Sequence, residues 1–151
     1  MLKNIDPLLS AQLLYHLRAM GHGDELVIVD GNYPAQSHAN NLVTLEGNSA
    51  TRVLEAVMSV LVLDDFVPCA VHTMQVVDHP TRVPPICAEF QRIIDSAQPC
   101  AVVIEGLPRF DFYARAKQAY LIVSTTESRL YGNVILTKGV VRSSKEQGAQ
   151  Q

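Results

Sequence analysis

No apolar run among the 151 residues approaches the length of a membrane span, and the amino-terminal stretch, with one lysine and an early Asp6-Pro7, lacks the core of a secretory signal. No membrane partner is therefore expected. Positive charge is not in excess either: 12 lysines and arginines stand against 15 aspartates and glutamates, for a formal net charge of -3. A surface that follows a polyphosphate backbone needs the opposite balance, so no nucleic acid is expected as a partner. Cysteine is scarce. Cys69, Cys87 and Cys100 are odd in number, widely spaced and set in apolar or helical-looking sequence, which fits reduced thiols in a cytoplasmic protein. No CxxC pair is present, and His16, His38, His72 and His79 lack tight ligand spacing, so neither a metal nor a cofactor is expected. There is no internal repeat.

What is present reads as one compact domain over residues 1–141, followed by a polar, frayed tail over 142–151. Hydrophobic residues make up 48% of the chain and charged ones 18%, enough apolar surface for a single well-formed core at this length. Ser10 is placed to cap a helix whose apolar face is Leu13, Leu14, Leu17 and Met20, with Gly21 as its stop. Leu26 to Val29 is an uninterrupted apolar run, the pattern of a strand covered on both faces. Gly31 to Ala35 is loop chemistry, and Leu42 to Leu45 is a second short strand. A helix carrying Val53, Leu54, Val57, Met58 and Leu61 follows, with Asp64-Asp65 expected at its solvated end. Ala70 to Val77 reads as strand. Pro84-Pro85 opens a helix that turns Ile86, Phe90, Ile93 and Ile94 inward. Ala101 to Ile104, Tyr120 to Ser124 and Asn133 to Thr137 complete the strands, and Phe110 to Ala119 is helical. Alternating helices and apolar strands predict an α/β fold, a three-layer α/β/α sandwich around a largely parallel or mixed sheet. In such sheets ligands gather beyond the carboxyl ends of strands, which draws attention to Asp30, Glu105 and Arg109.

The candidate chemistry is carried by few residues. His22 lies between Gly21 and Gly23, close in sequence to Asp24 and Asp30. It is either an ordinary helix-ending residue or an accessible acid/base group, since an imidazole can give and take a proton near neutral pH. Gly21-His22-Gly23 does not open a dinucleotide-binding turn, because it follows a helix and the third glycine is replaced by Leu26. Asp30 is either a strand-ending carboxylate or an acceptor for the hydroxyls of a ligand. Arg109 is either a surface cation or a group awaiting a polar partner, its place near a helix start being electrostatically poor for a cation. Tyr131-Gly132-Asn133 is a turn that also gathers hydroxyl and amide groups.

These stretches, in order, resemble the RbsD/FucU family of ribose pyranases and fucose mutarotases. The matching segments are Met1-Leu2-Lys3 with Asp6-Pro7-Leu8-Leu9-Ser10, Met20 to Glu25, Asp30 through Tyr33-Pro34-Ala35, Arg109-Phe110 with Phe112-Tyr113, and Tyr131-Gly132-Asn133 ahead of Lys138-Gly139-Val140. The resemblance implies a mutarotase that interconverts sugar anomers and assembles into a homo-oligomer, a decameric ring with each sugar site near subunit contacts. It implies His22 as the proton donor, with Asp30, Arg109, Tyr131 and Asn133 holding a monosaccharide and Tyr113 as a secondary candidate. The fucose branch carries arginine where the ribose branch tends to carry histidine, so Arg109 points to a fucose-like substrate. Pro108 and Gly31 depart from the commonest family pattern and bear on pocket shape more than on the reaction. D-ribose as substrate, a non-catalytic sugar-binding module and an aldose-ketose isomerase are the competing readings.

Overall fold

A computed structural model of the chain describes residues 1–142. Helix α1 spans Ala11–Ala19, capped by the Ser10 hydroxyl, which accepts the Leu13 N–H at 3.2 Å. Strand β1 is Glu25–Val29, α2 Ala35–His38, β2 Leu42–Leu45, and α3 Ala50–Met58 with Ser49 as its cap. Strand β3 (Val71–Met74), α4 (Pro85–Ala97), β4 (Ile104–Leu107), α5 (Arg109–Gln118), β5 (Leu121–Thr125) and β6 (Val134–Thr137) follow.

The six strands lie in the order β2-β5-β1-β6-β3-β4. All run parallel to one another except β6, which is antiparallel to both of its neighbours. The sheet is therefore mixed. Alternate residues of each strand enter two separate cores, as the period of two requires. Leu26, Ile28, Leu121, Val123, Val134 and Leu136 pack with residues of α1, α3 and α4 such as Leu13, Leu54 and Phe90. Val27, Val29, Ile122 and Ile135 meet Phe112 and Ala116 of α5 on the opposite face. Helices on both faces of one sheet make the α/β three-layer arrangement that the alternating pattern predicts.

Three local expectations differ. The strand expected at Ala101 to Ile104 begins only at Ile104, because side chains of α4 take the backbone polar groups of Val102: Asp95 accepts its N–H at 3.2 Å and Gln91 donates to its carbonyl at 2.8 Å. Strand β3 ends at Met74 instead of running to Val77, since the chain turns between Val76 and His79, with Asp78 in the left-handed region at φ 63°. Asp64 is not at a solvated helix end. Helix α3 stops at Met58, and Asp64 is buried beside the sheet with its N–H donated to Thr137 at 3.0 Å. Arg142, the first residue of the expected tail, grips Asp65 through two hydrogen bonds of 2.6 and 3.0 Å; residues 143–151 lie outside the described residues.

Candidate active site

The parallel strands end together on one rim of the sheet, and β6, running the other way, begins there. This places Asp30 after β1, Arg109 after β4 and Tyr131 and Asn133 before β6 around one cavity of about 180 Å³. Asn32, Tyr33, Tyr113, Met74, Val77 and Leu130 also line it. Four of the five site residues expected from the sequence thus share one cavity, together with Tyr113.

Each polar group there is held in a defined way. Asp30 is buried, and both its carboxylate oxygens are engaged: Oδ1 accepts the Asn32 N–H at 3.0 Å and Oδ2 accepts Asn133 Nδ2 at 2.8 Å. The Asp30 N–H donates to Asn133 Oδ1 at 3.0 Å, so the two side chains form a reciprocal pair that locks β1 to β6. Asn133 is accordingly committed to Asp30 before any ligand arrives. Each carboxylate oxygen keeps a second lone pair for a hydroxyl donor. The Tyr131 hydroxyl accepts the Val77 N–H at 3.2 Å, which leaves its own proton to donate. Tyr131 has φ 65°, a left-handed backbone conformation uncommon outside glycine. Arg109, the first residue of α5, stacks its guanidinium 4.8 Å from the centre of the Phe110 ring and has no carboxylate partner among the described residues. Tyr33 bonds His38 Nδ1 at 3.0 Å and meets Tyr113 edge-on; burial pushes its phenol above the ordinary tyrosine value and pulls His38 below the ordinary histidine value. The cavity therefore offers an anchored carboxylate, a cation without a carboxylate partner among the described residues, phenol groups and the apolar side chains of Met74, Val77 and Leu130.

His22 is elsewhere. It sits in the turn before β1, whereas Asp30 follows that strand, and five residues at roughly 3.3 Å each put about 16 Å of sheet between the two rims. Its sequence neighbours do not partner it: Asp24 accepts the Gly21 N–H at 2.7 Å instead, and Asp30 belongs to the far rim. The partner is Asp64, whose Oδ1 lies 3.0 Å from His22 Nε2 while also accepting the Phe66 N–H at 3.0 Å. The aspartate side chain is 3% exposed and the imidazole 46% exposed, so a buried carboxylate orients a ring that solvent or a ligand can reach. Phe66 flanks the ring, centroid to centroid 5.3 Å, and no hydrogen bond to Nδ1 exists among the described residues. The turn itself is pinned by Lys138, which donates through Nζ to the carbonyls of Leu17 and Met20 at 2.7 and 2.6 Å and pairs its backbone with Gly23 and Asp24. Gly23, at φ 85°, supplies the left-handed residue that lets the chain enter β1. A groove of about 690 Å³ opens on this rim past Asp64, walled by Val62, Val67, Val103 and Val140.

Sequence spacing gave no sign of Asp64, because it meets His22 only through the fold. A second convergence also escaped it. Cys69, His72 and Glu105 bring possible ligand atoms within 4.8 Å of one another. Arg115 already supplies the positive charge there, donating from Nη1 to His72 Nε2 at 3.1 Å while holding Glu25 Oε1 through Nε and Nη2 at 2.8 and 2.6 Å. Burial, then Arg115, holds the His72 imidazole below its ordinary value, and its Nδ1 has no partner among the described residues.

A buried carboxylate locked to an amide, with a cation nearby, thus lines one rim of a mixed sheet in an α/β fold, and an imidazole backed by a second carboxylate stands on the other rim. The model of the RbsD / FucU transport protein family matches residues 3–141, and the chain belongs to that family. It is 40% identical over 140 residues to the L-fucose mutarotase of Haemophilus influenzae, covering 93% of this chain and 97% of that one. It is 39% identical over 146 residues to the fucose mutarotase of Homo sapiens, covering 93% and 94%. The crystal structure of the fucose mutarotase from Streptococcus pneumoniae in complex with L-fucose superposes with a TM-score of 0.87 at 40% identity, over 93% of this chain and all of that one.

Proposed function

We propose that this protein is a mutarotase that interconverts the α and β anomers of L-fucose, and that it works as a cytoplasmic homo-oligomer. The observation that carries the reading is the gathering of Asp30, Arg109, Tyr131 and Asn133 around one cavity, in a chain 37–40% identical over most of its length to mutarotases named for fucose. Asp30 accepts from sugar hydroxyls, Arg109 and Tyr131 donate to them, and Asn133 keeps Asp30 in place. Tyr113 forms part of the wall. Directional bonds of this kind fix the ring before reaction, so no orientation has to be found during proton transfer.

The reaction breaks the bond between the anomeric carbon and the ring oxygen. His22 Nδ1 removes the proton of the anomeric hydroxyl, electrons form the carbonyl, and the ring oxygen leaves with a proton from the imidazolium. Rotation about the bond to C2 exposes the other carbonyl face, and the reverse transfers close the ring. No proton is gained or lost overall. Asp64 holds Nε2–H, which keeps the Nδ1 lone pair available and stabilises the imidazolium between the two transfers. Because His22 and the cavity occupy opposite rims of a chain, we place His22 of a second copy over the sugar; a ring, decameric as the family resemblance implies, provides such contacts at every site.

The same separation gives substance to a second reading: one chain alone holds the groups for binding but not the imidazole, and would act as a sugar-binding module. Magnetisation-transfer NMR between anomers, with L-fucose and D-ribose side by side, tests both. Faster exchange of L-fucose than of D-ribose, lost in His22→Ala, is expected. Binding of L-fucose without accelerated exchange would establish the module, and a ketose product would establish an isomerase.

A further inference from the structure

The two segments that carry the cavity's polar groups are far apart in sequence. Asp30 and Gly31 leave β1, while Tyr131, Gly132 and Asn133 enter β6. Glu127 touches both. Its carbonyl accepts the Gly31 N–H at 2.9 Å. On the other side, a β-carbon added to Gly132 would meet Glu127 Cγ at 2.8 Å and Asp30 Cβ at 3.2 Å, so Gly132 is threaded between these two side chains. Tyr131 stands next to that contact in its left-handed conformation, which a non-glycine residue keeps only where its surroundings over-determine it.

Glu127 is itself immobilised. Its carboxylate is buried, accepting Arg129 Nε at 3.0 Å on Oε1 and Arg129 Nη2 at 2.9 Å on Oε2, with the Arg129 N–H adding a third bond of 3.0 Å. Arg129 in turn reaches Glu89 of α4 through Nη1 at 2.9 Å. A two-pronged arginine–carboxylate pair fixes direction as well as distance, unlike a single point-charge contact. Glu127 does not line the cavity. It can affect a ligand only through the residues it spaces.

We propose that Glu127, locked by Arg129, is a positioning residue that sets the separation of Asp30 and Tyr131 around the bound sugar, an inference that rests on the reading of this cavity as the sugar site. Loosening it changes how the sugar is held and leaves the proton-transferring imidazole, which belongs to the other rim, untouched. The signature is a raised KM at retained kcat.

The test uses the full chain and the anomer exchange of L-fucose, measured on protein shown by circular dichroism to be folded at the assay temperature. Glu127→Gln keeps the size of the side chain and removes its charge; Arg129→Lys keeps the charge and removes the fork. Arg52→Met serves as control, because it cuts an ion pair with Asp6, and neither of those residues lines the cavity or bonds the Glu127 or Arg129 side chain. The expected result is a KM raised by about tenfold in Glu127→Gln, as for the weakening of about one hydrogen bond made equally to bound sugar and transition state, a smaller rise in Arg129→Lys, and an unchanged KM in Arg52→Met. If Glu127→Gln fails to fold, Arg129→Lys decides. A wild-type KM in the folded Glu127 and Arg129 variants, or an equal rise in Arg52→Met, overturns the positioning role while the sugar site stands. A wild-type protein that neither binds nor exchanges L-fucose overturns the sugar reading, and the positioning role with it.

Discussion

Replacing Asp64 by asparagine removes one charge and almost nothing else. Asparagine keeps an oxygen at the Oδ1 position, so the 3.0 Å bonds to His22 Nε2 and from the Phe66 N–H can both survive. In the proposed mechanism, what disappears is the negative charge that faces the imidazolium during proton transfer. Unit charges about 4 Å apart attract by about 4 kcal/mol at the effective dielectric near a protein surface. The His22 ring is 46% exposed, so water screens much of that, and about 1–2 kcal/mol of transition-state stabilisation remains to be lost. The corresponding fall in kcat is about 5- to 30-fold. Magnetisation transfer on L-fucose measures it directly, and KM is expected to stay at the wild-type value because Asp64 is engaged by His22 and the Phe66 N–H and holds the imidazole instead of the sugar. A kcat unchanged in Asp64→Asn, with the fold intact, would show that no imidazolium forms beside this carboxylate and would remove the dyad from the mechanism.

Other consequences follow from the packing. Phe112 is fully buried as the main link between α5 and the sheet, so Phe112→Ala is expected to cost about 3–5 kcal/mol in urea unfolding and to disturb Arg109 on the same helix. Arg129 holds the Glu127 carboxyl below its ordinary value near 4.5, so its contribution to stability is present above that pH and is lost as pH falls through the folded value. The difference in urea midpoint between wild type and Glu127→Gln should therefore be larger at pH 7 than at pH 4; a difference that grows on acidification would reverse the sign of the linkage. Gly132→Ala is expected to lower the melting temperature, since its β-carbon would meet Glu127, Ile86 and Asp30 at 3.2 Å or less, and an unchanged melting temperature would show that the turn yields freely.

The sequence carried the local structure well wherever a pattern is self-contained. Ser10 caps its helix, Pro85 opens α4, and Leu26 to Val29 is buried on both faces because its side chains are apolar at every position. It misplaced β4 because Ala101 to Val103 is as apolar as a strand, while the competing bonds come from Asp95 and Gln91 on the preceding helix, a preference that no local pattern encodes. The candidate site divides in the same manner. Tyr131-Gly132-Asn133 reads as a turn with hydroxyl and amide groups but no partner until β6 brings it against Asp30, and the family resemblance, not spacing, assigned it to a site. Asp64 looked like a solvated acid because its neighbour Asp65 is one; only the pairing of Leu63 with Lys138 draws the chain under His22. The order of the strands, and with it the placement of His22 on the rim opposite Asp30, is a property of the assembled sheet.

That placement can be tested by mixing. His22→Ala and Asp30→Ala chains, each expected to be inactive alone, are co-expressed or jointly refolded and assayed for L-fucose anomer exchange. If each site takes His22 from one copy and Asp30 from another, random assembly in equal amounts regenerates intact sites with about a quarter of the wild-type rate. No recovery, in mixtures shown to contain both chains in one particle, would mean that a single chain carries the whole site, and His22 would lose the role assigned to it.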